Sequence, residues 1–145
     1  MQRFFSIFCA FVLLAFLVGC GNGNVSLRGT VTFADTGEPL TQGTVSFLHS
    51  DGRQSRGTIQ PDGTYVVGTE TATDGLPPGT YRVVITGADK GIPPEGDTGG
   101  SYTWVPQIDR RYEDPATSEL SVTVDASTRT FDIQVDRFTG AGGGR

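Results

Sequence analysis

Val25-Ser26-Leu27-Arg28-Gly29-Thr30-Val31-Thr32-Phe33 repeats every second residue: Val25, Leu27, Val31 and Phe33 fall on one side of an extended chain, Ser26, Arg28, Thr30 and Thr32 on the other. Successive side chains of a strand point to opposite faces, so this period marks a half-buried strand. The pattern returns in residues 43–49 with Val45 and Phe47 and in 80–86 with Tyr81, Val83 and Ile85, and Thr64-Tyr65-Val66-Val67 reads as a further short strand. Two later runs carry it again, Leu120, Val122 and Val124, then Phe131, Ile133 and Val135. A polar run at 55–60 reads as an edge strand.

Between these runs stand residues that reverse a chain: Thr36-Gly37-Glu38-Pro39-Leu40, Asp51-Gly52, Pro61-Asp62-Gly63 and Asp74-Gly75-Leu76-Pro77-Pro78-Gly79. Asp and Gly tolerate the positive φ that tight turns demand, and Pro presets the turn's first dihedral. Seven short strands separated by such turns predict an all-β domain over 25–138, a seven-stranded antiparallel β-sandwich of Ig-like type. Alternation predicts a core of Phe33, Phe47, Tyr81, Val83, Ile85, Phe131 and Ile133. One stretch breaks the rhythm. Residues 87–115 are rich in Gly and Pro without a sustained period, which predicts a long loop, the first place to look for a binding surface.

Upstream of Val25 the chain reads as a targeting segment. Arg3 gives a positive start, Phe4 to Val18 is apolar, and Leu17-Val18-Gly19-Cys20 follows. A spanning helix needs about 20 apolar residues. This run is shorter and abuts Gly and Asn, which favours a cleaved signal over an anchor. Leu17-Val18-Gly19-Cys20 resembles a lipobox, and the resemblance implies a signal peptide over 1–19 and a lipidated Cys20 as first mature residue. Two or three acyl chains then anchor the protein to the bilayer, each buried methylene contributing about 0.8 kcal/mol. The tether Gly21-Asn22-Gly23-Asn24 spans at most about 15 Å at roughly 3.5 Å per residue. Its alternating glycines are not a phosphate loop, having no strand before and no helix after. At the other end, the Gly-rich segment 139–145 is expected to be a disordered tail.

Composition narrows the function classes. Without the signal the chain holds ten Lys and Arg against sixteen Asp and Glu, a net charge of −6, which disfavours nucleic acid. Cys9 lies in the signal and Cys20 is then alone, so no internal disulfide forms. With His49 the only histidine, no Cys/His zinc site is available either.

Gly29-Thr30-Val31, Gly37-Glu38-Pro39-Leu40, Gly43-Thr44-Val45-Ser46-Phe47, Asp62-Gly63-Thr64-Tyr65 and Leu76-Pro77-Pro78-Gly79-Thr80-Tyr81-Arg82-Val83 resemble, in order and spacing, the carboxypeptidase regulatory-like domain family. The likeness covers roughly Val25 to Ile85 and implies a transthyretin-like, or prealbumin-like, seven-stranded sandwich. Tyr112-Glu113-Asp114-Pro115-Ala116-Thr117-Ser118, running into the strand at Leu120, is similar to the short planctomycete lipoproteins of this type. The family's members are mostly accessory or structural modules, so the resemblance implies a fold and a role class rather than a catalytic site.

Each chemical candidate has a plain alternative. His49, Ser50 and Asp51 are adjacent, and neighbours on a strand point to opposite faces, so they do not converge as a triad. A surface histidine is expected. Related sandwich enzymes use two Tyr and two His on iron, or several His, and one histidine supports neither. Pilus domains of similar shape crosslink Lys to Asn in the core, but Lys90 is the only lysine, in the long loop, and Asn22 and Asn24 the only asparagines, in the tether. Asp109, Glu113 and Asp114 offer oxygens to calcium, yet Arg110 and Arg111 lie between them, which favours solvated loop charges. Tyr102, Trp104 and Tyr112 concentrate aromatics in the loop. They either plug the open end of the sandwich or form a partner-binding surface of the kind that holds carbohydrate. The sequence thus predicts a non-enzymatic lipoprotein on the extracytoplasmic side of a membrane, without a cofactor, with a structural role or binding an envelope protein; a carbohydrate- or peptidoglycan-binding module is the alternative, and a hydrolase or accessory subunit the more distant one.

Overall fold

The computed structural model describes residues 23–96 and 100–140. The expected signal peptide, Cys20 and residues 141–145 of the expected tail lie outside them. Nine strands form: β1 Arg28–Phe33, β2 Thr44–His49, β3 Gln54–Thr58, β4 Thr64–Val66, β5 Gly79–Thr86, β6 Asp89–Ile92, β7 Thr103–Pro106, β8 Leu120–Val124 and β9 Ile133–Val135, with one 3-10 turn at Arg110–Glu113. Seven of them make two sheets, a three-stranded one in the order β4-β1-β9 and a four-stranded one in the order β3-β2-β5-β8. The protein is the expected seven-stranded β-sandwich, and β6 and β7 pair only with each other.

Alternation becomes a core in the predicted manner. Val25, Leu27, Val31 and Phe33 from the first run are buried against Val45 and Phe47 of β2 and Tyr81, Val83 and Ile85 of β5. Phe47 sits at the centre, with Tyr65, Tyr81 and Phe131 around it at ring separations of 6.2, 6.4 and 6.3 Å. Such contacts add about 0.5–1.5 kcal/mol per pair beyond the area removed from water. Tyr65 donates its hydroxyl hydrogen bond to the Phe131 carbonyl, and burial pushes its phenol well above the usual range, with the Asp132 carboxylate adding to the shift. Gly29 is required beside this contact, since a Cβ there would run into the Phe131 carbonyl oxygen.

Three expectations are corrected. The sandwich is not wholly antiparallel: β9 runs parallel to β1, Val31 opposite Ile133 and Phe33 opposite Val135. After β8 the chain turns at Asp125 and crosses to the other sheet at the end where β1 begins, so it must climb in the same direction as β1. Alternation records which face is buried and carries nothing about direction. Phe131 is half-buried rather than inside. It lies ahead of β9, where the chain passes between sheets and its N–H bonds the Arg28 carbonyl at 2.9 Å. Finally, 87–115 is not a structureless loop, because it contains the β6–β7 hairpin and the 3-10 turn.

The two ends of the sandwich differ. At one, Val25 bridges Leu76, β5 starts at Gly79 opposite Val124, and the β2–β3 turn holds His49 and Asp51. At the other, Thr44 faces Thr86 and the chain leaves β5 for the hairpin. The descent from Phe33 to Val25 spans roughly 25 Å at about 3.3 Å per residue, so the hairpin and the point where the tether joins are at opposite ends.

Candidate recognition surface

The hairpin is pinned at its base and bare beyond it. Gln107 N–H donates to the Ala88 carbonyl at 3.0 Å, Phe138 N–H to the Gln107 carbonyl at 3.1 Å, and the Gln42 amide reaches the Asp89 carbonyl. Ala88 and Ile108, just outside the two strands, are buried in the sandwich. Between them Asp89 faces Pro106, Lys90 faces Val105, Gly91 faces Trp104 and Ile92 faces Thr103. No residue of β6 or β7 is buried.

On one face of this ribbon Trp104 is 67% exposed and Tyr102, two residues before it, 61% exposed. Both rings lean over Gly91. A Cβ built on that glycine would stand 3.2 Å from Tyr102 Cδ1 and 3.3 Å from Trp104 Cζ3. Edge atoms of each ring therefore sit over bare glycine backbone, in the manner of aromatic rescue, while most of each ring is left to solvent. The glycine is what lets two large rings share one patch. On the same face, by strand alternation, lies the half-buried Asp89.

Tyr112, the third aromatic predicted here, is elsewhere. It is 4% exposed and packed into the core from the 3-10 turn. Its hydroxyl accepts from Arg111 Nη2 at 2.8 Å and from the Asp136 N–H at 3.2 Å, and lies 3.2 Å from the Asp136 carboxylate. Tyr112 and Ile108 belong to the buried core, and Trp104 and Tyr102 take no part in it. Sequence held a signal for this division. Asp109 caps the 3-10 turn by accepting from Arg111 N–H at 2.9 Å, and an acid at such a position is a readable start signal for a short turn that sets Tyr112 apart from the strand before it. Tyr102-Thr103-Trp104-Val105 is a run of strong strand formers, which marks β7 without any period.

The remaining candidates resolve into local structure. Asp109, Glu113 and Asp114 do not converge. Glu113 pairs with Arg110 at 3.3 Å and Asp114 accepts from Ala116 N–H at 2.7 Å, and among the described residues no three His, Cys, Asp or Glu are placed to hold a metal. His49 is more than a surface residue. It is half-buried, its ring 5.2 Å from that of Tyr81, in room that Gly79 leaves open. Its Nδ1 accepts from the Asp51 N–H at 3.4 Å and lies 2.7 Å from Asp51 Oδ1, and the Asp51 carboxylate accepts from Arg53 N–H at 3.0 Å and Arg53 Nε at 2.6 Å. These donors, the Arg53 backbone N–H foremost, hold the Asp51 carboxyl down at about 2. No hydrogen bond joins Ser50 to His49 among the described residues, so the trio forms a pinned turn. Lys90 is exposed on the hairpin, outside the core.

No family model and no curated protein matches the chain. Solved structures with a similar arrangement include BcpA, the major pilin subunit of Bacillus cereus, at 14% identity and a TM-score of 0.48, covering 79% of this chain and 30% of that one. A DUF3823 family protein from Bacteroides ovatus matches at 19% identity and a TM-score of 0.43, covering 78% and 44%. The group B streptococcus pilus 2b backbone protein matches at 14% identity and 0.43, covering 81% and 42%. The chain thus spans less than half the length of each of these proteins.

Proposed function

We propose that this chain is a non-catalytic envelope lipoprotein of the carboxypeptidase regulatory-like type, anchored by an acylated Cys20 on the extracytoplasmic side of its membrane, and that it acts by binding through the β6–β7 hairpin. One observation carries the reading: Trp104 and Tyr102 stand in solvent on a ribbon that adds nothing to the core, at the end of the sandwich away from Val25. Large exposed aromatics gathered in one patch are costly in water and mark surfaces that something else covers. The short tether ahead of Val25 keeps the opposite end near the headgroups, which turns the hairpin outward. A structural role for the sandwich alone leaves the hairpin without a purpose.

The anchoring half is tested by membrane partition. Cys20→Ala should move the protein from the detergent phase to the aqueous phase, or leave it unprocessed. Wild-type protein found in the aqueous phase overturns the anchor. The binding half is tested by chemical crosslinking on intact cells, where Trp104→Ala should reduce the neighbours captured at the hairpin. An unchanged crosslinking pattern in a normally folded variant overturns it.

A further inference from the structure

We infer that the ligand of the hairpin is an uncharged saccharide chain, stacked on Tyr102 and Trp104; this rests on the reading of the hairpin as a recognition surface. The argument begins with size. Each strand of the ribbon has four residues, about 13 Å of length at roughly 3.3 Å per residue, and two strands about 4.8 Å apart make a face on the order of 130 Å². A stable protein interface needs about 800 Å² on each partner. The hairpin face falls well short of that and matches a ligand of one or two rings.

Chemistry narrows the class. Two aromatic faces offer flat, weakly negative surfaces that attract C–H groups, and a pyranose has such groups in quantity on its ring faces. Tyr102 and Trp104 both reach Gly91 from one face of the ribbon, so they stand side by side on one patch rather than in two separated pockets. A lone apolar ligand would find no walls here, whereas a sugar keeps its hydroxyls in water while its ring faces are covered. Asp89 lies on the same face as the rings and accepts hydroxyl hydrogen bonds. Lys90, the only lysine, is on the other face by alternation. A carboxylate beside the rings, on a domain of net negative charge, repels uronates, sulfated sugars and phosphorylated glycans. Sugars without anionic groups remain.

Trp104 is the only tryptophan in the chain, so its fluorescence reports this site alone. The experiment titrates the full-length protein, held in a zwitterionic detergent, with chitohexaose as the neutral probe and oligogalacturonate as the anionic one, and follows emission and acrylamide quenching. Chitohexaose should give a saturable blue shift and protect Trp104 from the quencher, and oligogalacturonate should do neither. Tyr102→Ala should weaken chitohexaose binding at least tenfold, while Tyr102→Phe, which keeps the ring and the hairpin, should stay within threefold of wild type. Asp89→Asn should narrow the gap between the two sugars. A flat chitohexaose titration on a Trp104 that acrylamide reaches overturns the saccharide inference and leaves the recognition surface standing. Equal binding of both sugars overturns the selection of uncharged chains. A Trp104 that acrylamide does not reach overturns both the inference and the reading beneath it.

Discussion

The sandwich and the hairpin are built from the same kinds of residue and follow opposite rules. In β1, β2 and β5 the core-facing positions recur with a period of two because burial enforces it, and in β2 and β5 Ser46 and Val84 on the other face are buried as well. In β6 and β7 nothing is fully buried, the strands hold by backbone pairing and a few base contacts, and the sequence carries no period. An apolar residue in the sandwich is explained by what it packs against. Trp104 is not explained that way. The difference teaches where selection for folding ends on this chain and where another requirement begins.

The largest effect expected is on the sandwich side. Phe47 is fully buried and its ring touches three others, so Phe47→Ala should cost about 3–5 kcal/mol, read as a lowered denaturation midpoint. A loss below about 1 kcal/mol would break the comparison at its stronger end. Phe131 sharpens it. Its ring meets Phe47 edge-on at 6.3 Å but is half-exposed. Phe131→Ala should therefore cost roughly half as much, about 1–2 kcal/mol, and a loss equal to that of Phe47→Ala would restore the register in which Phe131 points fully inward.

What sequence made legible follows the same division. Seven strands could be read because each has a wet and a dry face. The parallel course of β9 could not, since reversing a strand leaves its alternation unchanged. β6 and β7 were hidden because a ribbon with two wet faces has no hydrophobic period, and Gly91, Pro93 and Pro94 imitate loop composition. Tyr102 and Trp104, two residues apart, share one face of the hairpin. Tyr112 is near them in the chain, yet it belongs to the 3-10 turn and packs into the core. His49 was read from its neighbours along the strand, whereas its packing comes from Tyr81 across the strand pair at register His49 opposite Tyr81.

A smaller effect separates the regions by pH. Asp51 and Asp125, in turns of the sandwich, are both held down at about 2 from an ordinary 3.8. For Asp51 the leading cause is the Arg53 N–H, for Asp125 the hydroxyl of Ser127. A depressed carboxyl binds its proton later in the folded state than in the unfolded one. Its contribution is therefore full above about pH 4 and is lost as pH falls toward 2. Asp51→Asn and Asp125→Asn should each flatten the acid leg of a stability profile between those values and leave its slope near neutrality unchanged. An acid leg as steep in the double variant as in wild type would show that these turns hold nothing through their carboxylates.

The smallest effect on stability should come from the largest side chain. Trp104 reaches over Gly91 with the edge of its ring and is not part of the core, so Trp104→Ala removes a surface pairing of a few tenths of a kcal/mol. The denaturation midpoint should stay within about 0.5 kcal/mol of wild type, the range of surface substitutions away from packed sites. If the indole were instead a plug, the same change would open a cavity and cost about 3–5 kcal/mol. The two outcomes are separated by nearly an order of magnitude, so one denaturation curve decides between them. A small loss of stability together with a large loss of binding is the signature of a residue kept for its ligand, and Phe47→Ala provides the scale on which small is judged.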